Sequence, residues 1–159
     1  MSKRTKELER LWWDWLGTSE RLLSTLHEQT GALTLRQVER VEKLQPELDG
    51  LMAKMEEIDA KAVDCAKTLA DSLGCEPNLR SLVASLEKTE GMEVQAIANR
   101  VIVAGRNVQN VIDKNKALIE NELAYVNGSM TVIAREAQKA DGPYAPVTSG
   151  ANVLMNQAA

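Results

Sequence analysis

From Leu35 to Leu73 apolar residues recur three and four positions apart, through Val38, Val41, Leu44, Leu48, Leu51, Met55, Ile58, Ala62, Cys65, Ala66 and Leu69, for more than five heptads. That spacing is the seam of one long amphipathic helix, and strand alternation does not fit it. Pro46 falls inside the segment without shifting the phase of the stripe. Proline removes one backbone hydrogen bond, so the spacing predicts a kink there rather than a break. Gly74 then supplies the stop.

The flanking segments carry the same period. Leu8, Leu11, Trp12, Trp15, Leu22, Leu23 and Leu26 predict a first helix over Lys3 to Thr30, ended by Gly31. Thr34 followed by Gln37 matches a capping box, with Leu33 and Val38 placed as a hydrophobic staple, so the second helix is expected to begin at Thr34. Pro77 and Asn78 mark a turn before Leu79, Leu82, Val83 and Leu86, a short connector helix that caps one end. After Gly91 the stripe resumes at Val94, Ile97, Val101, Ala104, Val108 and Ile112, then Ile119, Leu123, Val126, Met130, Ile133 and Ala137. This is the longest helix, expected over Met92 to Lys139. Gly105 and Gly128 inside it each cost about 1 kcal/mol relative to alanine, which marks Gly128 as a place of local fraying.

No single amphipathic helix can bury its stripe alone. The expected fold is therefore all-α: an elongated antiparallel three-helix bundle with coiled-coil-like packing, a short connector helix and a flexible C-terminal tail. The expected domain is residues 1–140. From Asp141 the run of Gly142, Pro143, Pro146 and Gly150 cannot continue a helix, so 141–159 reads as the tail. Its last nine residues carry no side-chain charge, and Val153, Leu154 and Met155 form a small apolar cluster suited to docking.

Composition narrows the function classes. Aromatic residues are 3% of the 159, with no Phe, which disfavours a sheet core. A net charge of -4 provides no overall cationic field, which argues against nucleic acid or an anionic membrane as the main partner. Cys65 and Cys75 lie outside the short spacings of zinc or redox pairs, and a helix between them holds them too far apart for a disulfide. Two free thiols, no apolar run of about 18 residues and no signal peptide predict a cytoplasmic protein.

Catalytic constellations are missing from the pattern. His27, the single histidine, has no nucleophile paired with it and reads as a surface residue. Glu56, Glu57 and Asp59 share a helix with Lys54 and Lys61, the arrangement of a solvated, salt-bridged face. No glycine-rich phosphate loop and no Glu-x-x-His pair is present, so neither an enzyme, a cofactor nor a metal site is expected. Trp12, Trp13 and Trp15 cannot all face one partner helix, so one of them is expected at a rim, as an anchor or as a recognition surface. Asn115 falls near the seam, where a buried amide can set register. Leu118, Ile119, Leu123, Val126, Met130 and Ile133 admit two readings, core or a surface for a partner helix.

A helix, a Gly-Ala-Leu turn at 31–33, a heptad helix ending in Leu73-Gly74, a Leu-rich connector and the run Asn115-Lys116-Ala117-Leu118-Ile119-Glu120-Asn121-Glu122-Leu123-Ala124-Tyr125-Val126 together resemble the FlgN family of flagellar export chaperones. The resemblance spans residues from about 5 to 150. It implies a non-enzymatic cytoplasmic chaperone that binds the terminal helices of hook-filament junction proteins, prevents premature assembly and delivers them to the type III export gate. It also implies that client contacts lie in the C-terminal half, here Leu118 to Ile133 and the tail. Tyr144 matches a tail tyrosine associated with gate docking, although Ala145 stands where many members have Gly. The alternative from the residues alone is a structural homodimeric coiled-coil or adaptor protein.

Overall fold

A computed structural model of the chain describes residues 2–139. They form four helices: α1 (Lys3–Thr34), α2 (Val38–Leu73), α3 (Leu79–Ser85) and α4 (Lys88–Lys139). The all-α expectation holds for the described residues.

The first turn departs from its sequence reading. Helix α1 runs through Gly31 and stops at Thr34, and α2 starts at Val38 rather than Thr34. The stop is made by Arg36, whose φ of 55° puts it in the left-handed conformation usually left to glycine. Gln37 N–H then donates to the Ala32 carbonyl at 2.8 Å and Arg36 N–H to the Leu33 carbonyl at 3.2 Å, satisfying two end carbonyls of α1. The capping box is not made. Thr34 Oγ1 donates back to the Thr30 carbonyl at 2.8 Å, and Gln37 Oε1 accepts from Arg40 at 3.2 Å. The staple fails with it, because Val38 remains exposed. Carrying the helix past Gly31 brings Ala32 to full burial, which a stop at Gly31 would forfeit.

The other ends follow the sequence closely. Pro46 lies inside the continuous α2, and Gly74, at φ 67°, closes that helix with Cys75 N–H donating to the Ala70 carbonyl at 3.0 Å. Asn78 caps α3 by accepting from Ser81 N–H at 2.8 Å. Helix α4 begins at Lys88, one turn ahead of expectation, with Gly91 inside it. A Cβ at Gly91 would stand 2.9 Å from the Val83 carbonyl oxygen. Glycine here is what lets α3 lie directly on α4.

Helix α1 is the element shared by both long packing seams. It runs antiparallel to α2: Thr25 meets Glu47 near the turn, and Leu8 and Leu11 cluster with Ile58, Ala62 and Leu69 at the far end. It runs parallel to α4. Ser2 N–H reaches Glu90 at one end and Arg36 pairs with Glu122 at 3.2 Å at the other. Among the described residues α2 and α4 make no close backbone approach to each other. Both contribute side chains to one cluster on α1, where Leu22 and Leu26 pack with Leu48 and Met55 of α2 and Val108 of α4. Fully burying a side chain such as Leu8, Leu22 or Leu69 contributes about 1.5–3 kcal/mol each.

Candidate partner-binding surface on α4

The 52 residues of α4 span about 78 Å and the 32 of α1 about 48 Å, at 1.5 Å per residue. The two helices start level, since Ser2 lies beside Glu90. Helix α4 must therefore outrun α1. The crossing point is held by Arg36, which pairs with Glu122 and places its guanidinium 4.3 Å above the Tyr125 ring. Beyond it α4 continues to Lys139 with none of the other described helices alongside.

This geometry divides the six α4 residues that the sequence singles out. Leu123 is buried, with 8% of its surface exposed, at the level of the Arg36 clasp. Leu118, Ile119 and Met130 are half-buried, whereas Val126 and Ile133 are exposed at 41% and 61%. Tyr125 and Val132, which the stripe did not single out, are exposed as well. Leu123 thus belongs to the core side of the question and Val126 and Ile133 to the surface side. Tyr144, Val153, Leu154 and Met155 lie outside the described residues.

Asn115 occupies the seam position that its spacing indicates. It is 2% exposed, and its amide donates to the Leu26 carbonyl and to Gln29 Oε1, both at 2.9 Å. The Thr30 hydroxyl meets its Oδ1 from the other side. A buried amide satisfied on both atoms fixes the axial position of α4 against α1, because a shift of one turn would strand all of these groups.

At the opposite end, Glu9 on α1 stands near Glu90 and Glu93 on α4, and its Oε1 has no hydrogen-bond partner. Burial first, then repulsion from Glu93 and Glu90, pushes its carboxyl above the usual range, against a lowering pull from Lys6. The Cys65 thiol is likewise raised, mainly by burial and then by Glu7, and Cys65 and Cys75 are both free.

Trp12 and Trp15 are half-buried against the core and Trp13 is the rim residue, 48% exposed. The Arg100 guanidinium lies 5.5 Å from the Trp13 ring. Sequence reading missed the neighbours of this pair. Met92, Ala96, Asn99 and Val103 form a second stripe on α4, spaced four, three and four, that stays exposed. The signal was present but weak, because the stripe includes an alanine and an asparagine. His27 is exposed, and no group of His, Cys, Asp and Glu that could hold a metal occurs among the described residues. No described helix is long and apolar enough to cross a membrane.

Comparison with curated proteins and with solved structures gave no match. The family model described as FlgN protein matches residues 1–146, a span that takes in all four helices and the α4 extension. The chain therefore belongs to the FlgN family of flagellar export chaperones.

Proposed function

We propose that this chain holds the terminal helices of hook-filament junction proteins, keeps them from assembling prematurely and brings them to the type III export gate. The observation that carries the reading is the extension of α4 past the Arg36 clasp, with Val126, Val132 and Ile133 exposed on a stretch alongside which no other described helix runs. An isolated helix of about 16 residues is marginal in water, more so with Gly128 and β-branched Thr131, Val132 and Ile133 in it. A client helix laid against that face supplies the apolar burial that the extension lacks, and the extension does the same for the client.

In this reading α1, α2 and α4 are the three long helices of an elongated bundle that acts as a handle. Residues 141–159 are a separate tail that carries Tyr144 to the export gate and offers Val153, Leu154 and Met155 as a further apolar contact. The chaperone works in the cytoplasm without catalysis. Its affinity derives from apolar area at about 25 cal/mol per Å², less the ordering of both helices, so clients are held reversibly and released without ATP hydrolysis by the chaperone.

The test is a pair of single substitutions, Val126→Glu and Ile133→Glu, assayed by titration calorimetry against the C-terminal helices of hook-filament junction proteins. Each is expected to weaken binding at least about tenfold, as for loss of one apolar anchor, with helix content unchanged. Unchanged binding in both would remove the extension as the client site.

A further inference from the structure

The face that α4 turns to α1 is a heptad pattern of three rows. Val94, Val101, Val108, Asn115, Glu122 and Ser129 follow one another seven residues apart, about 10.5 Å along the axis, and form the middle row. Adjacent pairs fill its flanks, Ile97 with Ala98, Val111 with Ile112 and Leu118 with Ile119. As far as Glu122 all of these are buried or half-buried. Helix α1 lies over the middle row: Leu22 and Leu26 cluster with Val108, Gln29 bonds Asn115 and Arg36 pairs with Glu122.

The rows do not stop where α1 does. One heptad further the flanks carry Tyr125 and Val126, and one further again Val132 and Ile133, with Ser129 between them. All four flanking residues are exposed, so exposure on these rows begins where α1 ends. At about 100° per residue, Tyr125 and Ile133 lie about 40° to either side of Ser129, and Val132 and Val126 about 60°. That arc of about 120° is the width of one packed helix. Residues 123–134 carry no side-chain charge, so the seat is uncharged as well as apolar. Leu35 and Val38, on either side of Arg36 in the chain, are exposed at the end of α1, where a helix following α1 would abut.

On the reading that the extension is the client site, we infer that the client helix lies end-on to α1 and in its line. It sits astride Ser129, with Tyr125 and Val132 on one flank and Val126 and Ile133 on the other. Helix α1 shows what this face of α4 accepts. The buried residues of α1 are leucines interleaved with threonine, serine, glutamine and alanine, and none is charged. The middle row is polar at three successive steps, and α1 and its turn answer the first two, Gln29 at Asn115 and Arg36 at Glu122. Ser129 is the third step and falls to the client. The client face therefore brings a small or hydrogen-bonding residue to Ser129, between apolar neighbours and without charge.

The experiment titrates the full chain with the C-terminal helices of hook-filament junction proteins and compares Ser129→Glu, Val132→Glu, Ile133→Glu and Thr131→Glu. Each adds the same charge to the same stretch, so only its position around α4 differs. Thr131, about 200° round from Ser129, faces away from the seat and is exposed. Ser129→Glu, Val132→Glu and Ile133→Glu are each expected to weaken binding at least about tenfold, and Thr131→Glu to leave it within about twofold. Glutamate is a better helix former than serine, threonine, valine or isoleucine, so helix content should hold by circular dichroism. Should Val132→Glu nonetheless lose helix, Val132→Gln against Thr131→Gln carries the same comparison. Loss at Ile133 with none at Ser129 and Val132 would overturn the α1 line and leave the extension as the client site. Indifference to all four would overturn both readings. Equal loss at Thr131 would overturn the inference, as would a dimer, seen by light scattering, that Val132→Glu dissociates, since a second copy would then fill the seat.

Discussion

The Asn115 side-chain amide on α4 donates to Oε1 of Gln29 on α1 at 2.9 Å, at a point where both residues are almost sealed from water. One more bond from the same amide to the Leu26 carbonyl makes this a buried polar pin in the α1–α4 seam. Removing one partner leaves the other buried and unsatisfied. Asn115→Leu is therefore expected to lose about 1–3 kcal/mol in urea unfolding, and the double change Asn115→Leu with Gln29→Leu to recover part of it. An additive double mutant would show that the two side chains act independently.

Gly91 and Gly128 should respond to alanine in opposite directions. At Gly91 the new Cβ meets the Val83 backbone oxygen at 2.9 Å, so α3 must move off α4; at Gly128 it meets nothing within 4 Å. Gly91→Ala is expected to cost about 1–3 kcal/mol and Gly128→Ala to add about 0.5–1 kcal/mol of helix stability. Chemical denaturation reads the first and helix content by circular dichroism the second.

The Glu9 carboxyl gives a pH signature. Its folded value is raised above the ordinary 4.5, so the folded chain binds the proton more tightly than the unfolded chain does. Its contribution to stability is therefore most favourable below pH 4.5 and falls as the pH rises through the raised value, leaving a constant penalty at neutral pH. Glu9→Gln is expected to raise the thermal midpoint at pH 7 and to flatten the slope over that window. A variant with the same pH profile as the unchanged chain would show that the carboxylate is not destabilising.

Core and extension should separate cleanly under mutation. Leu22 is 2% exposed between Leu48 and Val108, and Leu22→Ala is expected to cost about 2–5 kcal/mol. Leu123→Glu should behave similarly, because Leu123 is buried beside the Arg36 clasp. Ile133→Glu should leave the unfolding midpoint within about 0.5 kcal/mol, as for an exposed site. A large loss at Ile133 would place it in the core.

Much of this was legible in the residues. The three-four stripes give the helices, Gly74 and Asn78 give their ends, and the seam spacing picks out Asn115. The α1–α2 turn was not legible, because Arg36 takes a conformation that composition assigns to glycine and Thr34 spends its hydroxyl on Thr30 instead of a cap. The split of the α4 stripe into buried Leu123 and exposed Ile133 was hidden for a different reason. Period alone does not say where α1 ends relative to α4; that offset is held by Ser2 beside Glu90, the Asn115 pin and the Arg36–Glu122 pair. The exposed Met92–Val103 stripe was hidden in the same way, since its place beside α1 at Asn99 and Val103, and beside Val83 of α3 at Met92 and Ala96, depends on how the helices pack.

The central claim is that the α4 extension captures a client helix, and the most direct test is mass. Size-exclusion chromatography with light scattering would be run on the chain alone, with the C-terminal helices of hook-filament junction proteins, and with the same helices after Val126→Glu and Ile133→Glu are combined. The account predicts a monomer that forms a complex of defined stoichiometry, lost in the double variant. A stable homodimer that ignores those helices, or a complex that survives the double variant, would contradict it.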